Sequence, residues 1–227
     1  MPLIIAADNL NILNPPVAQA LDALDPRPLQ ELARRCEQAG ADLIDINPGF
    51  LPPRRHDRMA FMVEAVQQVT DLRLILDSPD ARVLARGLAA ADKPPILNAC
   101  TLEAEKLREI LPLAAAHKTD LVFLLLDARS FPAAVFEGKI TLALELRQHA
   151  LAAGLTDERL IFDPVLPNLT WPDAWAQTGE VVKTVRLLSG GELWGEPART
   201  MAGLSNLRSG LRHTYPLRVE EAALSLL

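Results

Sequence analysis

LRLILDSPDARVLARGL (72–88) and PILNACTLEAEKL (95–107) are the two stretches that decide the fold of this chain. In each stretch a short apolar run stops at a polar residue, Asp77 or Asn98, and apolar residues then recur at helical spacing. A buried strand followed by a helix is the repeating unit of parallel α/β sheets. The two stretches therefore predict two consecutive strand–helix units.

The same strand–helix pattern continues along all 227 residues. We predict strands at 3–7, 41–47, 72–77, 95–98, 120–127, 159–163 and 200–204. We predict helices at 28–39, 57–69, 80–91, 102–116, 139–153, 172–188 and 218–227. No linker rich in Gly, Ser or Pro divides this series, so residues 1–227 are predicted to form a single domain. Strict alternation predicts a parallel sheet, either a barrel or an open doubly wound sheet.

Polar side chains occupy the ends of several predicted strands. They are Asp45, Asn47, Asp77, Asn98, Asp163 and Asn206. The carboxyl ends of the strands converge on one face of a β/α fold, so these carboxylates and carboxamides are expected to share a pocket. A carboxylate accepts two parallel hydrogen bonds from an amino group and an adjacent ring N–H, which is the pair that a pterin edge presents.

Other interpretations of these residues stay open. Oxygen ligands also suit a divalent metal ion. Asp and Asn after a strand often cap the next helix, as Asp80 is predicted to do for the helix at 80–91. Cys100, two residues after Asn98, is either a small buried side chain or a catalytic thiol.

The composition narrows the range of partners. A net charge of −6 without a basic patch disfavours nucleic acid as a binding partner.

Several sequence signals are absent. No apolar run is long enough to span a membrane, and no signal peptide is visible before the first strand. The chain has neither a G-x-G-x-x-G fingerprint nor a P-loop, which disfavours the folds that bind phosphate in this way. The two cysteines lack metal-ligand spacing, so we expect no bound metal. Two unpaired cysteines are typical of a reducing compartment, so we expect a cytoplasmic protein.

Four segments, taken in order, resemble the pterin-binding barrel family. They are LILDSPDARVLARGL (74–88), PILNACTLEAEKL (95–107), LIFDPVLP (160–167) and MAGLSN (201–206). Within the family the chain is most similar to methyltetrahydrofolate:corrinoid/iron–sulfur protein methyltransferases. The folate domain of cobalamin-dependent methionine synthase comes next. Each signature is short, but the ordered set is fairly specific and spans about residues 1–210.

This resemblance implies a TIM (β/α)8-type barrel of the dihydropteroate synthase-like class. Asp77, Asn98 and Asp163 align with residues that bind the pterin ring, and Asn206 aligns with an asparagine that hydrogen-bonds near N5 of the folate. The substrate-binding residues expected on this basis are Asp45, Asn47, Asp77, Asn98, Asp163, Asn11 and Ser205, with Asn206 as the catalytic residue.

The reaction implied by the resemblance moves the N5 methyl group of methyltetrahydrofolate to cob(I)alamin, which a separate corrinoid protein carries. The tertiary amine is a poor leaving group, so N5 must gain a proton or a strong hydrogen bond as the C–N bond breaks. A carboxamide already in place can strengthen its interaction in the transition state. The enzyme then needs no nucleophile or metal of its own, and the family resemblance also implies a homodimer.

The chain departs from the family pattern at two places. The family usually has a G-E-R-I-N type element on the first strand, where this chain has AADNLN (6–11). The chain also stops about 21 residues after Asn206, and only about seven of the eight strands of a TIM barrel are predicted. The last strand and helix are therefore expected to be missing. Either this is a truncated form, or the barrel stays open, or a partner chain completes it by covering the exposed sheet edges.

Two other functions remain as alternatives. Dihydropteroate synthase shares the barrel and reads the same pterin edge. That enzyme is expected to carry a Lys after the strand-seven Ser, whereas this chain has Asn206 after Ser205. A pterin-binding protein without turnover is the second alternative, because a fold and a pocket do not guarantee activity.

Overall fold

The computed structural model describes residues 3–208. The strands in this part of the chain are β1 (Ala6–Asn11), β2 (Leu43–Asn47), β3 (Arg73–Asp77), β4 (Ile96–Cys100), β5 (Asp120–Leu124), β6 (Leu160–Asp163) and β7 (Arg199–Thr200). The helices are α1 (Pro15–Ala23), α2 (Arg27–Gln38), α3 (Asp57–Gln67), α4 (Ala81–Ala90), α5 (Ala104–His117), α6 (Phe136–Ala152) and α7 (Ala174–Gly190). Short 3-10 helices lie at Pro53–Arg55, Asp157–Arg159 and Leu204–Arg208.

The chain divides into two compact units. The first unit contains the described residues up to Ala99 together with Arg108–Leu121. The second unit contains Cys100–Leu107 and the described residues from Val122 onward. The sequence-based prediction of one domain over residues 1–227 stays a prediction.

Strands β1 to β4 of the first unit pair in parallel and in chain order. The register places Asn11 opposite Asn47, and Asp77 opposite Asn98. Polar residues at the carboxyl ends of neighbouring strands are therefore brought to one edge of the sheet. The inner residues of β2, β3 and β4 are mostly buried and apolar, as expected for a parallel sheet covered by helices, whereas β1 is polar and only its Leu10 is buried.

Helices α3 and α4 pack against each other in the first unit. Met59, Met62 and Val66 of α3 are completely buried. Gly87 of α4 has no room for a side chain, because a Cβ atom there would lie 2.7 Å from both Leu76 Cδ1 and Met59 Cγ. This glycine therefore allows the close approach of α4, in spite of its low helix propensity.

In the second unit β6 pairs in parallel with β7, with Phe162 opposite Thr200. The ring of Phe162 stacks on Phe123 at a centroid distance of 5.8 Å and contacts Trp194 at 5.5 Å. Helices α6 and α7 pack together, and the Phe136 N–H donates to Glu180 Oε2 over 2.9 Å. These contacts support the strand β6, which ends at Asp163.

The first strand lies further along the chain than predicted. Leu3, Ile4 and Ile5 of the predicted strand at 3–7 are exposed by 74%, 57% and 54%. The backbone of AADNLN pairs with β2 instead, with an irregularity between Ala7 and Leu10. The prediction of its position was wrong because the apolar run was taken as the buried strand, whereas backbone pairing with β2 decides the register.

Other boundaries also differ from the predictions. Helix α1, which begins with two prolines, was not predicted. Strand β5 ends at Leu124 rather than 127, because Asp127 starts a turn in which its carboxylate accepts the N–H groups of Arg129 and Phe131. The predicted cap is confirmed, since Asp80 accepts the Arg82 N–H over 2.8 Å. The helix predicted at 218–227 lies outside the described residues.

Among the helices of residues 3–208, none combines the length and apolar character needed to cross a membrane.

Candidate functional site

The first unit gathers two carboxyl groups and two carboxamides in the carboxyl-terminal halves of β2, β3 and β4. Asn47 and Asp77 end their strands as predicted, whereas Asn98 does not, because β4 continues to Cys100. We name Asp45, Asn47, Asp77 and Asn98 the carboxyl–amide cluster. Asn47 Nδ2 donates to Asp77 Oδ2 over 2.6 Å. Asn98 Nδ2 donates to Asp45 Oδ2 over 3.4 Å. Each carboxyl group is therefore held by a carboxamide from a different strand.

Burial governs the charge of this cluster. It raises the pKa of Asp45 well above its usual value, the negative charge of Asp77 raises it further, and the hydrogen bond from Asn98 lowers it. Burial also raises the pKa of Asp77 to about 6, against the hydrogen bond from Asn47. Two neighbouring carboxyl groups in a poorly solvated site titrate together, and protonation of one relieves their repulsion.

Tight turns after β1 and β2 surround this cluster. Asn47 Oδ1 accepts the N–H of Gly49 over 2.8 Å. Gly49 has a φ of 73°, and a Cβ atom there would lie 2.7 Å from Ile12 Cγ2. Asn11, at the end of β1, donates to the Asp8 carbonyl and accepts the Leu13 N–H within its own loop. Asn47 thus both orients Asp77 and holds a turn, whereas Asn11 shapes its own loop.

The second unit contains Asp163, which is buried at the end of β6. Its Oδ1 accepts the Val165 N–H over 2.7 Å, and the Gly203 N–H also donates to the carboxylate. Burial raises the pKa of Asp163 to about 6, whereas these two hydrogen bonds and the charge of Lys139 lower it.

Lys139 is a charged residue that the sequence analysis missed. It is 1% exposed, and its Nζ donates to the Pro164 carbonyl over 2.8 Å. Burial lowers its pKa to about 8, against the charges of Asp163 and Glu180. Its position was visible in the sequence, because it shares the buried stripe of α6 with apolar residues at helical spacing. These are Leu142, Ala143, Leu146 and Ala150.

Asn206 lies in the 3-10 helix Leu204–Arg208 of the second unit. Its N–H donates to the Gly203 carbonyl over 3.1 Å, and its Nδ2 lies 3.3 Å from the position that a Cβ of Gly203 would take. Since Gly203 also donates to Asp163, the Asn206 segment is tied to that carboxylate. Leu207, buried in a cluster with Leu166 and Val181, fixes the segment. Ser205 is exposed.

The alternative chemistries find less support. Cys100 is fully buried, and burial raises the pKa of its thiol to about 12, so it is protonated at neutral pH. A reactive cysteine needs the thiolate. Within residues 3–208 there is no group of three or more His, Cys, Asp or Glu side chains that could hold a metal ion.

Comparison with known proteins identifies the family. Residues 10–224 match the family described as pterin binding enzymes. The chain belongs to this family.

A curated relative is the methylcorrinoid:tetrahydrofolate methyltransferase of Eubacterium limosum. It is 29% identical over 170 residues, which are 74% of this chain and 62% of the relative. The chain therefore spans less than two thirds of that relative's length.

Solved structures establish the class of fold. Dihydropteroate synthase from Coxiella burnetii, solved with pteroic acid, superposes with a TM-score of 0.68 at 19% identity, covering 98% of this chain and 81% of that one. The enzyme from Xanthomonas albilineans superposes with a TM-score of 0.66 at 21% identity, covering 98% and 79%. The predicted family and the predicted TIM-type barrel class are both confirmed.

Proposed function

We propose that this protein transfers a methyl group between N5 of tetrahydrofolate and the cobalt of a corrinoid that a partner protein carries. The family resemblance implies transfer from methyltetrahydrofolate to cob(I)alamin, and we write the reaction in that direction. The observation that carries the proposal is the link from Asp163 through Gly203 to Asn206. It ties the backbone of the GLSN segment, which carries Asn206, to a buried carboxylate, in a chain that belongs to the pterin-binding family.

In this proposal Asn206 acts at N5. In the forward direction the electron pair of Co(I) forms the new Co–C bond as the N5–C bond breaks, and the pair of the broken bond stays on nitrogen, which takes up a proton from solvent. A carboxamide N–H that points at N5 interacts more strongly with this nitrogen as electron density builds up on it in the transition state. Such differential binding accelerates a reaction. Asn206 is held for this role because Leu207 anchors its segment.

The carboxyl–amide cluster of the first unit is proposed to bind the pterin ring. Asp77 accepts hydrogen bonds from the amino group and ring N–H of the pyrimidine edge, and Asn98 meets a ring nitrogen or carbonyl. Asn47 and Asp45 hold these two groups in position. Asp163, Asn11 and Ser205 complete the substrate-binding residues proposed from the family resemblance.

The name of the Eubacterium limosum relative states the opposite direction, with a methylcorrinoid as donor and tetrahydrofolate as acceptor. The same residues serve both directions, because the forward and reverse reactions share one transition state. In the reverse direction N5 attacks the methyl carbon, the Co–C bond pair stays on cobalt, and N5 loses its proton. A corrinoid protein as partner and a homodimeric assembly are parts of the same proposal.

The test is an anaerobic assay with methyltetrahydrofolate and free cob(I)alamin, followed by loss of the Co(I) spectrum. We expect Asn206→Ala to lower kcat by about 100-fold or more, as does loss of a donor to developing charge in other enzymes. Its Kd for methyltetrahydrofolate is expected to stay within a few-fold of wild type. Gln177→Ala, which removes a carboxamide elsewhere in the second unit, serves as control and should leave both values unchanged.

The alternatives give different results. Folate binding without turnover by the wild type would favour a pterin-binding protein that does not catalyse this reaction. Synthesis of dihydropteroate from a pterin pyrophosphate and 4-aminobenzoate would favour dihydropteroate synthase. Absence of pterin binding would reject the proposed function altogether.

A further inference from the structure

Lys139 occupies a position that is unfavourable for a lysine. It lies in the first turns of α6, where the positive end of the helix dipole opposes a cation, and it is 1% exposed. A buried ammonium is costly unless it has a hydrogen-bond acceptor and a counter-ion. Its hydrogen-bond acceptor is the carbonyl of Pro164 at 2.8 Å.

The turn that Lys139 contacts is strained. Val165 has a φ of 61°, a left-handed conformation that β-branched residues rarely adopt. Such strain persists only where the surroundings hold the backbone in place. Two side chains do so here, since Asp163 accepts the N–H of Val165 and Lys139 donates to the preceding carbonyl. The same turn thus joins the lysine to the carboxylate.

The charged groups around Lys139 indicate which carboxylate serves as its counter-ion. On β6 the facing group is Asp163, and on α7 it is Glu180. Glu180 already accepts hydrogen bonds from Lys183 and from the Phe136 N–H. Asp163 is buried, and Lys139 is the cation that lowers its pKa. Lys139 also lowers the pKa of Glu180, but there the main causes are the hydrogen bonds from Lys183 and the Phe136 N–H, whereas Lys139 is the cation that acts on Asp163.

We propose that Lys139 is a positioning residue for the pterin-binding carboxylate of Asp163. Its buried ammonium holds the Asp163–Val165 turn through the Pro164 carbonyl and serves as the counter-ion of the carboxylate. This inference rests on the proposed pterin binding by Asp163. Lys139 itself is not required to touch the ligand.

The experiment separates the charge of Lys139 from its hydrogen bond. Lys139→Met removes both, whereas Lys139→Gln keeps a donor for the Pro164 carbonyl but has no charge. Lys183→Met, on α7 and 65% exposed, is the matched control. Carboxyl ¹³C NMR of the ligand-free protein measures the pKa of Asp163, with the resonance assigned by its loss in Asp163→Asn.

We expect both Lys139 variants to raise the pKa of Asp163 by about one unit or more, and the control to leave it unchanged. Methyltetrahydrofolate binding is then measured from pH 5 to 9. The pH below which the affinity falls should rise by the same amount as the pKa of Asp163. For a one-unit shift, binding at pH 6 is then about fivefold weaker than in wild type. The variants converge on wild type above pH 8, because the Asp163 carboxyl group, whose pKa is about 6, is then ionised in all of these proteins even after a one-unit rise.

A double-mutant cycle tests whether Lys139 acts through Asp163. In the Asp163→Asn background, Lys139→Met should leave the Kd for methyltetrahydrofolate unchanged. An unchanged Asp163 pKa in folded Lys139→Met and Lys139→Gln would overturn the inference. A shift in the Met variant alone would overturn the counter-ion role. A wild type that binds no folate, but whose Asp163 pKa shifts with Lys139, would reject the proposed function and keep the pairing.

Discussion

Asp77 in the first unit and Asp163 in the second both end a buried parallel strand, and burial raises the pKa of each to about 6. Their neighbours differ. Asp77 lies beside another carboxyl group, Asp45, and receives a carboxamide N–H from Asn47. Asp163 instead has a buried ammonium, Lys139, close enough to lower its pKa. Similar local positions are thus made compatible with burial by carboxamide hydrogen bonds and raised pKa values in one unit, and by a neighbouring cation in the other.

The turns next to the two carboxylates also differ. Asn47, the hydrogen-bond partner of Asp77, begins the turn after β2, which uses Gly49 at a φ of 73°, a conformation that costs a glycine little. After β6 it uses Val165 at a φ of 61°, which is strained for a valine. The first turn is stabilised by residue type, whereas the second depends on contacts from Asp163 and Lys139. The second site is therefore the more dependent on tertiary packing.

Of the effects that this comparison of the two units predicts, the largest is on ligand affinity. Asp77→Asn and Asp163→Asn should each weaken methyltetrahydrofolate binding roughly 10- to 100-fold at pH 8, because a hydrogen bond to a charged group contributes about 1.5–3 kcal/mol. Isothermal titration calorimetry measures the two constants. Equal losses would mean that the two carboxylates serve the ligand alike, in spite of their different neighbours. No loss in either variant would remove both from the ligand site.

The second expected effect is on the stability of the folded protein, which Asp77→Asn should increase rather than decrease. The pKa of Asp77 is about 6 in the folded protein and close to 4 when unfolded. Its contribution to stability is therefore present below about pH 4 and is lost as the pH rises through about 6. Asp77→Asn should raise the free energy of unfolding on the order of 2 kcal/mol at pH 7.5 and leave it nearly unchanged at pH 4.

Urea unfolding at the two pH values measures this difference. Asp71→Asn is the control, because Asp71 is exposed and paired with Lys93, which lowers its pKa. Its substitution should not stabilise the protein at pH 7.5. If Asp77→Asn instead lowered the free energy of unfolding at pH 7.5, burial would not be what makes this carboxyl group harder to ionise.

The third effect tests the turn of the first unit. Gly49→Ala should destabilise the protein by about 2 kcal/mol, because it combines a left-handed backbone with contact against Ile12. Gly40→Ala is the matched control, with a φ of 93° and no atom within 4 Å of the added Cβ. It should cost about 1 kcal/mol. Equal losses in thermal unfolding would show that the close approach of Ile12 has no energetic weight.

The smallest effect is expected at Ser205. A single neutral hydroxyl contributes about 0.5–1.5 kcal/mol as a hydrogen-bond partner, so Ser205→Ala should weaken methyltetrahydrofolate binding about two- to tenfold. Fluorescence titration against wild type measures this. Affinity within error of wild type would remove Ser205 from the proposed substrate-binding residues, while a loss as large as that of Asp163→Asn would make it a principal contact.

The sequence by itself determined the family, the strand–helix alternation from β2 onward and the polar residues that gather at one edge of the sheet, while helix α1 was missed. It could do so because buried strands, amphipathic helices and their caps depend on residues close together in the chain. Asp45, Asn47, Asp77 and Asn98 were all predicted to lie at one edge of a sheet, and within the first unit the parallel register brings them together.

Only the tertiary structure decided the position of β1, the pairing of each carboxyl group and the role of Lys139. The apolar residues 3–5 predicted a strand, but pairing with β2 selected the polar stretch AADNLN. Lys139 and Asp163 lie 24 positions apart, and nothing local in either segment requires the other. Their relation arises when α6 packs beside the end of β6, since burial makes an isolated charge costly and a neighbouring opposite charge valuable.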